Sequence, residues 1–128
     1  MKPLQREILI YYNPDSSNDK KTVAHAQGLV PHVRAYSFDK APSNGTSWQQ
    51  IIRSLNLHPK DLMNKAHPYY QENIRGREFN EEDWLNVIRF NTGMLKAPIA
   101  IRGDKAVLCT SATDVYRLTE SDVKATFF

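Results

Sequence analysis

Cysteine is nearly missing from this chain: Cys109 is the only one among 128 residues. One thiol excludes an internal disulfide and a cysteine-rich zinc site. A chain without disulfides fits a reducing, cytoplasmic setting. Long apolar runs are absent as well. None approaches the ~20 residues needed to span a bilayer, so a membrane role is not expected. The opening Met1-Lys2-Pro3-Leu4-Gln5-Arg6-Glu7 lacks the apolar core of a signal peptide. Charge of one sign is scarce, with 17 basic against 14 acidic side chains and a net charge of +3. Lys20-Lys21 is the only adjacent basic pair. Without a basic stripe interleaved with aromatics, direct contact with nucleic acid is not expected. His25, His32, His58 and His67 show no metal-ligand spacing, so no metal site is expected. No Gly-x-Ser-x-Gly elbow accompanies any serine.

What is present fits one globular domain spanning 1–128. Hydrophobic residues make up 41% of the chain, which argues against disorder. A chain of this length buries roughly two-thirds of its unfolded surface, enough for a core without staples. No repeat or low-complexity tract divides it.

The pattern predicts an α/β order. Glu7-Ile8-Leu9-Ile10-Tyr11-Tyr12 is a β-branched and aromatic run closed by Asn13-Pro14, a buried strand followed by a turn. Residues 16–28 read as a helix capped by Ser16 or Ser17 and ended by Gly28. Its apolar content is thin: Val23, Ala24 and Ala26. His32 to Phe38 alternates as a second strand, completing a βαβ unit with parallel pairing. Residues 39–46 read as a loop. Trp48, Ile51, Ile52 and Leu55 recur at helical spacing behind Ser47 or Thr46 as cap. Pro59 suits the first position of a short helix. Asn80-Glu81-Glu82-Asp83 opens another helix with an acidic first turn. Residues 97–101 and 106–109 read as a hairpin with a longer loop. Ser111-Ala112-Thr113-Asp114 has capping-box spacing. Val115 and Leu118 supply that last helix with a short apolar face. Thr119-Glu120-Ser121-Asp122 repeats the capping signal before Phe127-Phe128.

This order resembles the thioredoxin-like superfamily, and within it the arsenate-reductase family, which also holds regulators that bind RNA polymerase. The resemblance runs from about Ile8 to Leu118. It is carried by Ile10-Tyr11-Tyr12-Asn13-Pro14, by Leu57-His58-Pro59-Lys60-Asp61-Leu62 and by Ala97-Pro98-Ile99. It implies a mixed sheet of about four strands flanked by helices, with a helical insert at about 47–91. It also implies a cis bond before Pro98.

The family's chemistry uses three parts. A cysteine two residues past Asn-Pro sits at a helix N-terminus, where the dipole lowers its pKa. The residue in that position is Ser16. A serine hydroxyl is a far weaker acid and forms no mixed disulfide. Arginines then fork onto the oxyanion. The matching positions hold Asn64, Ala97 and Thr110. Lys65 and Lys96, next to two of them, bring charge without the fork. The third part is a basic residue four positions past the nucleophile, here Lys20, with Asp15 opposing it. The resemblance therefore places a vestigial site at Asn13, Pro14, Ser16, Ser17, Lys20, Asn64, Ala97 and Pro98.

Each residue also has a plainer reading. Ser16 and Ser17 read as helix caps rather than nucleophiles. Cys109 is a weak candidate for a displaced catalytic thiol and more simply a small buried hydrophobe on a strand. His67-Pro68-Tyr69-Tyr70 reads as a loop with inward tyrosines before it reads as a binding surface. Trp48 and Trp84 read as core anchors. The resulting expectation is a non-catalytic relative of arsenate reductase that binds a protein partner, with no cofactor. The alternative is a thiol-dependent oxidoreductase linked to glutathione and glutaredoxin, using Cys109 or an external thiol. Ligand, pathway and oligomeric state are not encoded in any motif.

Overall fold

The computed structural model describes residues 7–41 and 45–119. Strand β1 (Glu7–Tyr12) leads into helix α1 (Ser17–Gln27) and strand β2 (His32–Ser37). Helices α2 (Gly45–Leu55), α3 (Pro68–Asn73) and α4 (Glu81–Phe90) follow. Strands β3 (Ile99–Arg102) and β4 (Lys105–Leu108) form a hairpin, and a 3-10 helix spans Ala112–Thr119. The sheet order is β2-β1-β3-β4. β1 pairs parallel to β2 and antiparallel to β3, so the four-stranded sheet is mixed as expected.

The register divides the core into two layers. Ile10, Ala100 and Val107 align across β1, β3 and β4. They join Ile8, Ala26, Val30, Val115 and Leu118 on the face covered by α1 and the last 3-10 helix. Tyr11, Ile99 and Leu108 align one step along. They join Trp48, Ile51, Leu55, Trp84 and Ile88 on the opposite face, under the helical region. A period of two along each strand produces this split.

Helix α1 buries Asp19, Thr22 and Ala26; Ala26 and the half-buried Val23 pack into the core layer, while Ala24 is exposed. The stripe at i, i+3, i+7 is small and polar, which is why its apolar content reads as thin. Gly28 ends the helix, but at φ −81 it takes no left-handed cap conformation. Helix α2 starts at Gly45, so positions 46 and 47 fall inside its first turn. Asn56, at φ 54, closes α2 with the left-handed residue that ends many helices. The segment expected as a loop from 39 also contributes to a 3-10 turn at Phe38–Lys40.

Two His-Pro pairs start short helices in the same way. His58 caps the 3-10 turn Pro59–Leu62 by accepting from the Lys60 N–H at 3.0 Å. His67 caps α3 by accepting from the Tyr69 N–H at 3.1 Å. The segment expected as a loop is thus helical; Tyr70 points inward and Tyr69 stays exposed. Helix α4 carries a full capping box between Asn80 and Asp83.

The β3–β4 loop is shorter than expected, only Gly103-Asp104. Gly103 at φ 63 supplies the positive φ that two-residue hairpin turns require. No described peptide bond is cis, so the bond before Pro98 is trans, against expectation. An X–Pro bond already prefers trans by roughly 0.5–1 kcal/mol, and no local residue reverses that. The Thr119–Asp122 capping signal runs past the described residues, and Phe127-Phe128 lies outside them.

Candidate functional site at the first strand–helix loop

The sheet register gathers most of the sequence-derived candidates at one end. Tyr11 pairs with Ile99, and Ile99 with Leu108. One residue further along each strand come Tyr12, Pro98 and Cys109. The Cys109 N–H donates to the Pro98 carbonyl at 2.8 Å. The loop Asn13–Ser16 leaves β1 at this same end, and Ala97 and Thr110 are the next residues of those two segments beyond the ladder. Asn64 is tied to the segment entering β3: its N–H donates to the Met94 carbonyl at 2.7 Å. Met63 and Leu95 form a β-bridge beside it.

The loop closes on its own side chains. The Ser16 N–H donates to the Asn13 carbonyl at 3.1 Å. The Asp15 N–H donates to Asn13 Oδ1 at 3.0 Å, an Asx turn. Ser16 is the N-cap of α1, and its Oγ accepts from the Asp19 N–H at 3.1 Å. The same hydroxyl donates to Asp19 Oδ1 at 3.1 Å. Asp19 Oδ2 accepts from the Asn13 N–H at 2.9 Å. A buried carboxylate thus sits at the positive end of α1, where an external anion would otherwise be stabilised. It also engages the Ser16 hydroxyl.

Asp19 is not among the sequence candidates, although a signal for it exists. Ser16 followed three residues later by Asp19 has capping-box spacing. Here the acid reaches further back, to the Asn13 N–H, instead of to the Ser16 N–H. Ser17 and Lys20 are exposed on α1, as are Asn13 and Pro14 on the loop.

The three positions that the resemblance assigns to arginine are engaged in local structure. Asn64 Oδ1 accepts from the Ala66 N–H at 3.1 Å. Ala97 is buried among the core residues under the helical region. Thr110 Oγ1 donates to Asp114 Oδ2 at 3.1 Å. Lys65 pairs with Asp61 at 3.9 Å on the surface. Lys96 lines a depression of about 260 Å³ with Thr110 and Arg117. Arg117 is a cation that sequence reasoning does not single out, because only the chain's return through the last 3-10 helix brings it there.

Cys109 follows β4 directly and is fully buried. Its Sγ points to the Val107 carbonyl at 3.8 Å. Burial pushes the thiol from its ordinary 9.0 up to about 12; the Asp114 charge adds to this, while Arg117 opposes it. A thiol so placed carries little nucleophilic thiolate. In iodoacetamide labelling at pH 8, the folded chain should react at least roughly 100-fold more slowly than the urea-unfolded chain. Comparable rates would show an accessible thiol. The shift also has a sign for stability. The unfolded chain releases this proton above about pH 9, whereas the folded chain holds it until about 12. Stability should therefore fall as pH rises through that window, by up to about 1.4 kcal/mol per pH unit. Cys109→Ala should flatten the decline in parallel urea titrations.

Among the described residues, no three His, Cys, Asp or Glu side chains are grouped to hold a metal ion. No described helix is long and apolar enough to cross a membrane.

No family model matches the chain. Arsenate reductase of Haemophilus influenzae is 24% identical over 103 residues, covering 77% of this chain and 87% of that protein. The structure of arsenate reductase from Vibrio cholerae superposes with a TM-score of 0.74 at 15% identity. It spans 89% of this chain and 96% of that one. An arsenate-reductase-related protein from Brucella melitensis superposes with a TM-score of 0.62 at 13% identity, spanning 87% and 92%. Sheet order and helical region agree with these structures: the chain has the fold of the arsenate reductases, a mixed four-stranded thioredoxin-like sheet flanked by helices, and it is similar in sequence to one of them.

Proposed function

We propose that this protein is a non-catalytic arsenate-reductase-like domain that acts by binding a protein partner. The observation that carries this reading is the closed loop. Ser16 stands where the family's thiol would stand, and its hydroxyl is bonded to Asp19. Asp19 holds a negative charge at the helix end that would have to receive an oxyanion. The absence of arginine at positions 64, 97 and 110 supports the same reading, since no guanidinium fork is supplied there. The domain uses no cofactor of its own in this reading, and a cytoplasmic setting fits its single thiol.

The competing reading is a thiol-dependent oxidoreductase drawing on glutathione and glutaredoxin. It gains nothing from Cys109, which is buried and held protonated. It would therefore depend on an external thiol.

The test is arsenate reduction with glutathione and glutaredoxin, run beside an active reductase. The wild-type chain should stay at the no-enzyme background. Turnover that Ser16→Ala abolishes would reverse the proposal.

A further inference from the structure

We propose that the helical region holds a second site, independent of the Ser16 loop, for a small neutral aromatic molecule carrying one hydrogen-bond donor. A cavity of about 380 Å³ opens between α2, the His58-Pro59 turn and the start of α4. That volume lies within the range of small-ligand sites, which are largely apolar with a few placed polar groups. None of the candidates gathered at the strand ends lines it.

Its walls are aromatic and aliphatic: Ile52, Leu57, Phe79, Trp84 and Leu85. Trp84 already receives two rings in edge-on geometry. Phe79 lies at 4.9 Å and 64°, and His58 at 5.5 Å and 82°. Rings prefer this arrangement to a face-to-face sandwich, so a third flat ring in the cavity extends a cluster that is already formed. Leu57 stands at the rim with 39% of its surface exposed, apolar area that a guest would cover.

The polar groups narrow the chemistry. Gln49 Nε2 donates to Glu81 Oε1 at 3.3 Å, which fixes the carboxylate at the rim. A carboxylate has about four acceptor sites, so this bond leaves capacity for a donor on the guest. Arg53 lines the same cavity, and its charge offsets that of Glu81. A rim without net charge favours a neutral guest over an anion or a cation. His58 Nδ1 accepts the Lys60 N–H at 3.0 Å, which places the ring proton on Nε2.

Indole and 1-methylindole are suitable probes, because N-methylation removes the donor at the cost of one added methyl group. Each is titrated into the ¹⁵N-labelled full chain and followed by two-dimensional NMR. Indole should shift the Trp84 side-chain N–H and the Leu85 amide saturably, with a Kd of about 0.1–3 mM. 1-Methylindole should bind at least about threefold more weakly. Leu57→Trp, which fills the cavity from its exposed rim, should weaken indole at least about tenfold. Glu81→Ala, which removes the acceptor, should bring indole down toward 1-methylindole and leave 1-methylindole nearly unchanged, a comparison that stands on its own where Leu57→Trp disturbs folding. Non-saturable shifts, saturable shifts away from Trp84 and Leu85, equal binding of both probes or a Glu81→Ala variant that binds both unchanged would overturn the proposal. None of these readouts depends on arsenate turnover, so this proposal and the non-catalytic reading fail separately.

Discussion

Trp48→Ala should cost about 3–5 kcal/mol of folding stability, the largest single effect expected anywhere in the chain. Trp48 is fully buried, and it anchors α2 in the core under the sheet together with Ile51 and Leu55. Removing the indole leaves a cavity that neighbours on α4 and the sheet fill only in part, so the transfer loss and the cavity term add. A domain of this size has only about 5–15 kcal/mol in total, so the variant approaches the unfolding threshold. Urea melts followed by circular dichroism should show a lower midpoint with an unchanged slope. Leu57→Ala is the contrast. Leu57 is 39% exposed, and its loss should stay within about 0.5 kcal/mol. A Trp48→Ala cost below about 1 kcal/mol would mean that α2 is not anchored as described.

Asp19→Ala should cost about 2–3 kcal/mol, more than any other change in the first loop. The carboxylate accepts from the Asn13 N–H at 2.9 Å and from Ser16 Oγ at 3.1 Å. It also lies in the first turn of α1, where a negative charge is favoured by about 0.3–1 kcal/mol. Alanine removes all of this and leaves the Asn13 N–H without its acceptor. Asp19→Asn keeps an acceptor oxygen and loses the charge, so it should fall between alanine and wild type. Amide hydrogen exchange offers a local readout: Asn13 should lose protection in Asp19→Ala while the strand amides of Ile8 and Ile10 keep theirs. Asp15→Ala is the control. Asp15 is exposed, and its loss should stay within about 0.5 kcal/mol. Equal effects at both positions would contradict the role assigned to Asp19.

The elements legible in the sequence are those whose buried residues are large and apolar. Trp48, Ile51 and Leu55 announce α2 because bulky apolar side chains at helical spacing mark a helix with one buried face. Ile8 and Ile10 announce β1 for the matching reason at period two. The resemblance supplies the topology, and the sheet order agrees with it. Harder to read are elements whose determinants are small, polar or distant. Helix α1 buries Asp19, Thr22 and Ala26, a stripe of low hydropathy. The His58 and His67 caps use a residue that seldom announces a helix start. The isomer of the bond before Pro98 is not fixed by its neighbours in sequence.

The candidate site is legible in part. Residues 13–17, 97 and 98 can be placed by their position in the scaffold, and the register gathers them at one end of the sheet. What they do there is not legible. The part played by Asp19 depends on a carboxylate folding back over six residues to Asn13. The meeting of Lys96 with Arg117 depends on the last 3-10 helix returning to β4. Neither follows from local pattern. The burial of Cys109 agrees with the plainer reading of a lone cysteine, and the fold adds the reason: it belongs to the apolar layer with Ile10, Ala26, Val107, Val115 and Leu118, under α1 and the last 3-10 helix.

In the proposed non-catalytic reading, the first loop does not support arsenate reduction by a thiol at position 16. The most direct measurement compares wild type and Ser16→Cys side by side in the glutathione- and glutaredoxin-coupled arsenate assay, with an active reductase in parallel. Both should remain at background, because a cysteine at position 16 would still face Asp19 and find no arginine at positions 64, 97 and 110. Turnover by the wild-type chain that is lost in Ser16→Ala would contradict the account, and so would turnover gained by Ser16→Cys.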